Sequence, residues 1–177
     1  MGKTRVKLNG GTFRRLEKND QSLPSNWQTV VMDTLTFEID GSVRFAQDAS
    51  STAEWMVENI YPAVTGTGTI VQSGVGTLKF HNLDFAGDFA VESGVLGITE
   101  GMLPFGGDTP RLTVGTGAQV NLGFAGTADI GYLTLGSRPR KAGVYSATEG
   151  RASDYLTGSG ALNVTIGESC GMLILVR

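Results

Sequence analysis

A short glycine-bearing unit recurs along this chain and limits what it can fold into. Gly-x-Gly, then threonine or alanine, then an apolar residue appears at Gly66-Thr67-Gly68-Thr69-Ile70, Gly74-Val75-Gly76-Thr77-Leu78 and Gly158-Ser159-Gly160-Ala161-Leu162. A relative stands at Gly115-Thr116-Gly117-Ala118-Gln119-Val120, and shorter forms at Gly10-Gly11-Thr12-Phe13 and Ser93-Gly94-Val95-Leu96. Each unit is too small to bury a core by itself. Repetition of such units points to stacked coils, in which each coil buries its apolar side against its neighbours. Glycine at a corner permits positive φ and lets adjacent coils approach without a Cβ.

Between the glycines the apolar residues alternate with period two, in runs of three to five. These read as strands at Arg5 to Leu8, Thr12 to Leu16, Thr29 to Met32, Leu35 to Ile39, Ser42 to Ala46, Thr69 to Gln72 and Thr77 to Phe80. Further strands read at Asp88 to Val91, Val95 to Thr99, Arg111 to Val114, Gln119 to Leu122, Tyr132 to Leu135, Gly143 to Tyr145, Ala161 to Thr165 and Met172 to Val176. Ala49 to Ile60 reads equally as a turn of helix or a strand. The pattern predicts an all-β fold, a right-handed parallel β-helix (β-solenoid) in a single domain. Residues 1–59 form a less regular N-terminal part or cap, and residues 60–177 form the repeat region. The competing β-sandwich needs tight hairpins. Its two signals, Asn9-Gly10 and Asp40-Gly41, both lie in the first quarter and leave room for an antiparallel cap there. The expected core is Phe80, Val91, Leu96, Leu112, Val114, Val120, Leu122, Leu133, Leu135, Leu162 and Val164.

Composition narrows the partners. Glycine is abundant at 26 of 177 residues, yet 40% of the chain is apolar, enough to set it apart from low-complexity disorder. A net charge of −3 argues against nucleic acid and anionic membranes. The basic residues gather near the start (Lys3, Arg5, Lys7, Arg14, Arg15, Lys18) and around Arg138, Arg140 and Lys141, where they read as solvated faces and a loop. No apolar run is long enough to span a bilayer as a helix. Met1 to Gly10 lacks a signal-peptide core, so an exported form is expected to be a piece of something longer. The single cysteine, Cys170, permits no internal disulfide.

From Ile60 to Arg177 the chain resembles the autotransporter-associated β-strand repeat family of bacterial surface and secreted proteins, also called passenger-associated transport repeats. Four blocks carry the resemblance. The first is Thr65-Gly66-Thr67-Gly68-Thr69-Ile70 with Gly74-Val75-Gly76-Thr77-Leu78-Lys79-Phe80, and the second runs from Phe85 to Leu96. The third is Leu112 to Leu122, and the fourth is Ala142-Gly143-Val144-Tyr145 with Tyr155 to Val164. The resemblance implies a right-handed β-helix, export to the cell surface or medium, and a passive role in presenting or extending a surface structure. It implies no cofactor and no catalytic residue.

Chemistry-bearing residues are sparse. His81 is the only histidine, which excludes multi-histidine metal sites. Asp84 lies three positions from it, and the glycine pairs precede strands, whereas phosphate cradles precede helices. The acids Asp84, Asp88 and Glu92, with Trp27, Trp55, Tyr61, Tyr132, Tyr145 and Tyr155, define the alternative of a carbohydrate-binding or carbohydrate-cleaving β-helix. Edge charges and core aromatics are the plainer reading of the same residues. The sequence thus predicts a non-enzymatic structural or display module that self-associates as an oligomer or fibre, with a surface glycan as a further partner. Its expected associating edge is Met172, Leu173, Ile174, Leu175 and Val176. A shaft that works only as an oligomer is a third reading.

Overall fold

The computed structural model describes residues 4–15, 35–47, 57–60, 63–80, 83–99 and 109–168. The strands are β1 (Thr4–Arg15), β2 (Leu35–Gln47), β3 (Val57–Ile60), β4 (Ala63–Gly66), β5 (Thr69–Gln72), β6 (Thr77–Phe80), β7 (Leu83–Phe85), β8 (Asp88–Val91) and β9 (Val95–Thr99). They continue with β10 (Arg111–Val114), β11 (Gln119–Gly123), β12 (Thr127–Ile130), β13 (Tyr132–Leu135), β14 (Arg138–Pro139), β15 (Lys141–Ser146), β16 (Leu156–Gly158) and β17 (Ala161–Gly167). One 3-10 turn, Gly150–Asp154, lies between β15 and β16. The protein is all-β, with sheets of nine, five and three strands.

Among the described residues every strand pairing is parallel except β13 with β14 and β15 with β17. The chain therefore leaves a sheet and returns to it in the same direction. In the nine-stranded sheet, β2, β5, β8, β10 and β13 stack in that order. Their register aligns Val43, Ile70, Phe89, Leu112 and Leu133 in one column, and Phe45, Gln72, Val91, Val114 and Leu135 in a second. In the five-stranded sheet, β6, β9, β11 and β16 align Leu78, Leu96, Val120 and Leu156. Period-two alternation is what makes these columns. Along β6, β8, β10 and β13 the residues alternate half-buried and buried, so like positions on successive strands all face inward.

These columns merge into one apolar core that runs from Ile39 to Val164 and contains all eleven residues expected from the sequence. Phe45 meets Phe80 edge-to-face at 5.9 Å between ring centroids, and Phe85 meets Phe89 in the same way at 5.3 Å. Burying an aliphatic or aromatic side chain of this size stabilises by about 1.5–3 kcal/mol.

Gln72 is the one polar side chain buried among the described residues. It occupies an inward position between Phe45 and Val91 because its amide closes the following corner. Nε2 donates to the carbonyls of Gly74 at 3.3 Å and Gly76 at 3.2 Å.

One expectation needs correction. Neither Asn9-Gly10 nor Asp40-Gly41 forms a hairpin: both lie inside long strands, β1 and β2, that pair in parallel over eleven register positions with one irregularity between Leu8 and Gly10. Gly41 is needed there for proximity, since a Cβ on it would collide with the Asn9 carbonyl. The antiparallel pairing lies instead near the C-terminal end of the described residues, in β14 and β15. Of Ala49 to Ile60, left open between a turn of helix and a strand, the described part, Val57–Ile60, is strand.

Candidate functional site

Two places carry more than packing: the edge that β1 forms among the described residues, and a concavity beside β13 and β14. β1 pairs with β2 along one side, and no other described strand pairs with it. Its described side chains are exposed, apart from a half-buried Leu8. Arg5 meets Glu38 at 3.3 Å and Lys7 meets Asp40 at 2.6 Å, so basic residues of β1 lie on acidic residues of β2. The hydrogen bond to Asp40, with its negative charge, holds the Lys7 ammonium pKa above the ordinary value. An unpaired edge presents a row of backbone donors and acceptors to an incoming strand.

The opposite end is closed differently. β14 lies antiparallel on β13 with Pro139 in it, and β15 folds antiparallel onto β17. Arg111 joins this end to the stack through a 2.7 Å ion pair with Glu168, while its guanidinium carbon lies 4.5 Å above the centre of the Tyr132 ring. The expected associating edge, Met172 to Val176, lies outside the described residues, as do His81, Trp27, Trp55 and Tyr61.

The three acids occupy three different settings. Asp84 on β7 is exposed, beside Thr65 of β4 in register. Asp88 caps a strand, its Oδ1 accepting the backbone N–H of Arg111 at 2.8 Å. Glu92 forms a two-pronged pair with Arg44: Nη2 donates to Oε1 at 2.9 Å, and Nη1 donates to Oε2. That hydrogen bonding, reinforced by charge, holds the Glu92 carboxyl below the ordinary range. Asp88 thus joins the neighbouring strands β8 and β10, and Glu92 reaches past β5 to β2. The described tyrosines are also engaged separately. Tyr132 lies under Arg111, Tyr145 donates to the Lys141 carbonyl at 3.0 Å, and Tyr155 packs partly against the core.

The concavity has a volume of about 260 Å³ and is lined by Thr116, Leu135, Ser137, Arg138, Arg140, Arg151, Asp154 and Tyr155. By sequence, Arg138 and Arg140 read as charges on a solvated face or loop. Arg151 lies eleven positions beyond Arg140, and the 3-10 turn is what brings it to the same wall. No spacing rule for strands would have found it. Among the described residues no group of histidine, cysteine or acids is placed to hold a metal ion, and no helix is long and apolar enough to cross a membrane.

Comparisons of the chain with protein-family models, with curated proteins and with solved structures give no match.

Proposed function

We propose that this chain is a parallel β-solenoid module with a structural or display role, and that it is extended by strand addition at β1. The observation that carries this reading is the unbroken set of inward columns through β2, β5, β8, β10 and β13, matched by those of the five-stranded sheet. A chain that repeatedly returns to the same sheets in parallel builds length and surface, which suits a scaffold. The resemblance to autotransporter-associated repeats supports a setting at the bacterial surface or in the medium.

β1 is the surface for extension because, among the described residues, only β2 pairs with it and only β2 offers acids to its basic side chains. β2 offers Glu38 and Asp40 to Arg5 and Lys7. A strand arriving on the other side, presented by a second copy, is favoured when it carries carboxylates at corresponding positions. Light scattering over a range of concentrations tests this, with negative-stain microscopy for particle shape. The full chain is expected to exceed its monomer mass of 18.6 kDa as concentration rises, and the double variant Arg5→Glu with Lys7→Glu is expected to stay monomeric. A monomeric wild-type chain at the highest concentration would overturn self-association.

A further inference from the structure

We propose that the concavity beside β13 and β14 binds a small carboxylated sugar, a sugar acid of about one residue, through its three arginines. This inference does not rest on the scaffold reading.

The argument begins with charge. The chain as a whole is acidic, at −3, yet Arg138, Arg140 and Arg151 line one concavity with a single carboxylate, Asp154. Among the described residues the ion pairs are Arg5–Glu38, Lys7–Asp40, Arg44–Glu92 and Arg111–Glu168, and none of the three arginines takes part. Three like charges facing a single carboxylate repel one another, and an oxyanion entering among them relieves that repulsion.

Arg140 adds a specific demand. Its Nε is buried and has no hydrogen-bond partner. A buried donor left without an acceptor costs about 1–3 kcal/mol. Its guanidinium carbon is 6.0 Å from the centre of the Tyr145 ring, at the outer limit of a cation–π contact, so the ring does not replace an acceptor. Guanidinium groups bind carboxylates through two parallel N–H donors, and Arg140 lines the concavity.

The walls are held in place before any ligand arrives. The Arg140 N–H donates to the Leu133 carbonyl at 2.8 Å, and the Arg140 carbonyl accepts from Glu168 N at 3.0 Å. The Tyr155 carbonyl accepts from Val120 N at 2.8 Å, which fixes the far side to β11. Gly136, at φ +62°, leaves room for the tyrosine: a Cβ there would stand 2.6 Å from Tyr155 Oη. Preorganised donors lose little entropy on binding.

The hydroxyls of Thr116, Ser137 and Tyr155 share the lining with Asp154 and match a polyhydroxylated molecule. The lining carries three positive charges and one negative, an excess that an anion offsets, and the hydroxyls are what favour a sugar acid over phosphate. About 260 Å³ is below the usual ~300–1,000 Å³ of drug-sized sites, so the ligand is small.

Calorimetric titration of the full chain with glucuronate, glucose and inorganic phosphate tests the proposal. Glucuronate is expected to bind at least tenfold more tightly than either of the others. Arg151→Ala, at an exposed position, and Arg140→Lys, which keeps the charge but removes the fork, are each expected to weaken glucuronate binding by about tenfold. Glucuronate binding no tighter than glucose overturns the site. Phosphate binding tighter than glucuronate overturns its assignment to a sugar acid, and binding unchanged in both variants overturns its location.

Discussion

Replacing Gly68 by alanine tests whether close backbone approach sets the spacing of the stacked strands. Gly41 within β2, Gly68 after β4 and Gly87 after β7 follow one another, and an added Cβ on each would come within 3.0 Å of the carbonyl of Asn9, Gly41 and Gly68 in turn. Gly68 has no positive φ, so alanine there is strained by proximity alone. Its neighbour is backbone and cannot rotate aside. The corner must then open, which strains the bonds from Gly68 N to the Ile39 carbonyl and from Asp88 N to the Gly68 carbonyl, both 2.9 Å. Overpacking costs about 1–3 kcal/mol, and one or two weakened hydrogen bonds add about 1 kcal/mol each. A stiffer unfolded chain returns about 0.4–1 kcal/mol. The net loss is about 2–4 kcal/mol. Gly117 is the control: at φ +81° it has nothing within 4 Å of an added Cβ, so alanine there pays only for its backbone conformation, about 1–2 kcal/mol. Thermal unfolding followed by circular dichroism should show Gly68→Ala melting well below Gly117→Ala, at ~2–4 °C per kcal/mol for a chain of this size. Equal melting temperatures would refute the reasoning, because proximity would then add nothing to the cost.

The Arg44–Glu92 pair makes stability depend on acid. The Glu92 carboxyl is depressed below its ordinary 4.5, so its contribution is complete above that value and is lost as pH falls through the lower folded-state value. Both side chains are well exposed, so the contribution is at most about 1 kcal/mol, and Glu92→Gln should flatten the acid limb of a denaturant-midpoint profile by no more than that. At the corner after β5, the Gly74 carbonyl accepts from both Gln72 Nε2 and Ser93 Oγ. Either donor can serve alone, so Gln72→Leu and Ser93→Ala together should cost about 1 kcal/mol more than the sum of the single variants in urea unfolding, and strict additivity would count against a shared acceptor.

The strands were most legible where a glycine unit introduces a period-two run. Thr69 to Gln72, Thr77 to Phe80, Asp88 to Val91, Val95 to Thr99, Arg111 to Val114 and Tyr132 to Leu135 have the bounds that the sequence pattern marks. Ala63–Gly66, Leu83–Phe85, Thr127–Ile130 and Leu156–Gly158 escaped, because three or four residues are too few to show a period and their partners lie about 19 to 36 positions away along the chain. Glycine misled at Asn9-Gly10 and Asp40-Gly41, where the dipeptide that usually turns a hairpin instead clears space between parallel strands. The arginine concavity was hidden for another reason. Arg138, Arg140 and Arg151 are charged residues in weakly patterned segments, and only the antiparallel return of β14 and the 3-10 turn bring them together.

The parallel stacking has a mechanical consequence. Ladder hydrogen bonds run across the strands, along the direction in which the strands are stacked. Tension applied between β1 and β13 therefore loads one interstrand row at a time, as in opening a zip, and does not shear many rows together. Such a stack yields stepwise, each step releasing the 19 to 23 residues between one strand and its neighbour in the column from β5 to β13. At the far end β15 crosses back onto β17, and the Arg111–Glu168 pair ties that return to β10, so among the described residues the weaker starting point for extension under load is the β1 edge.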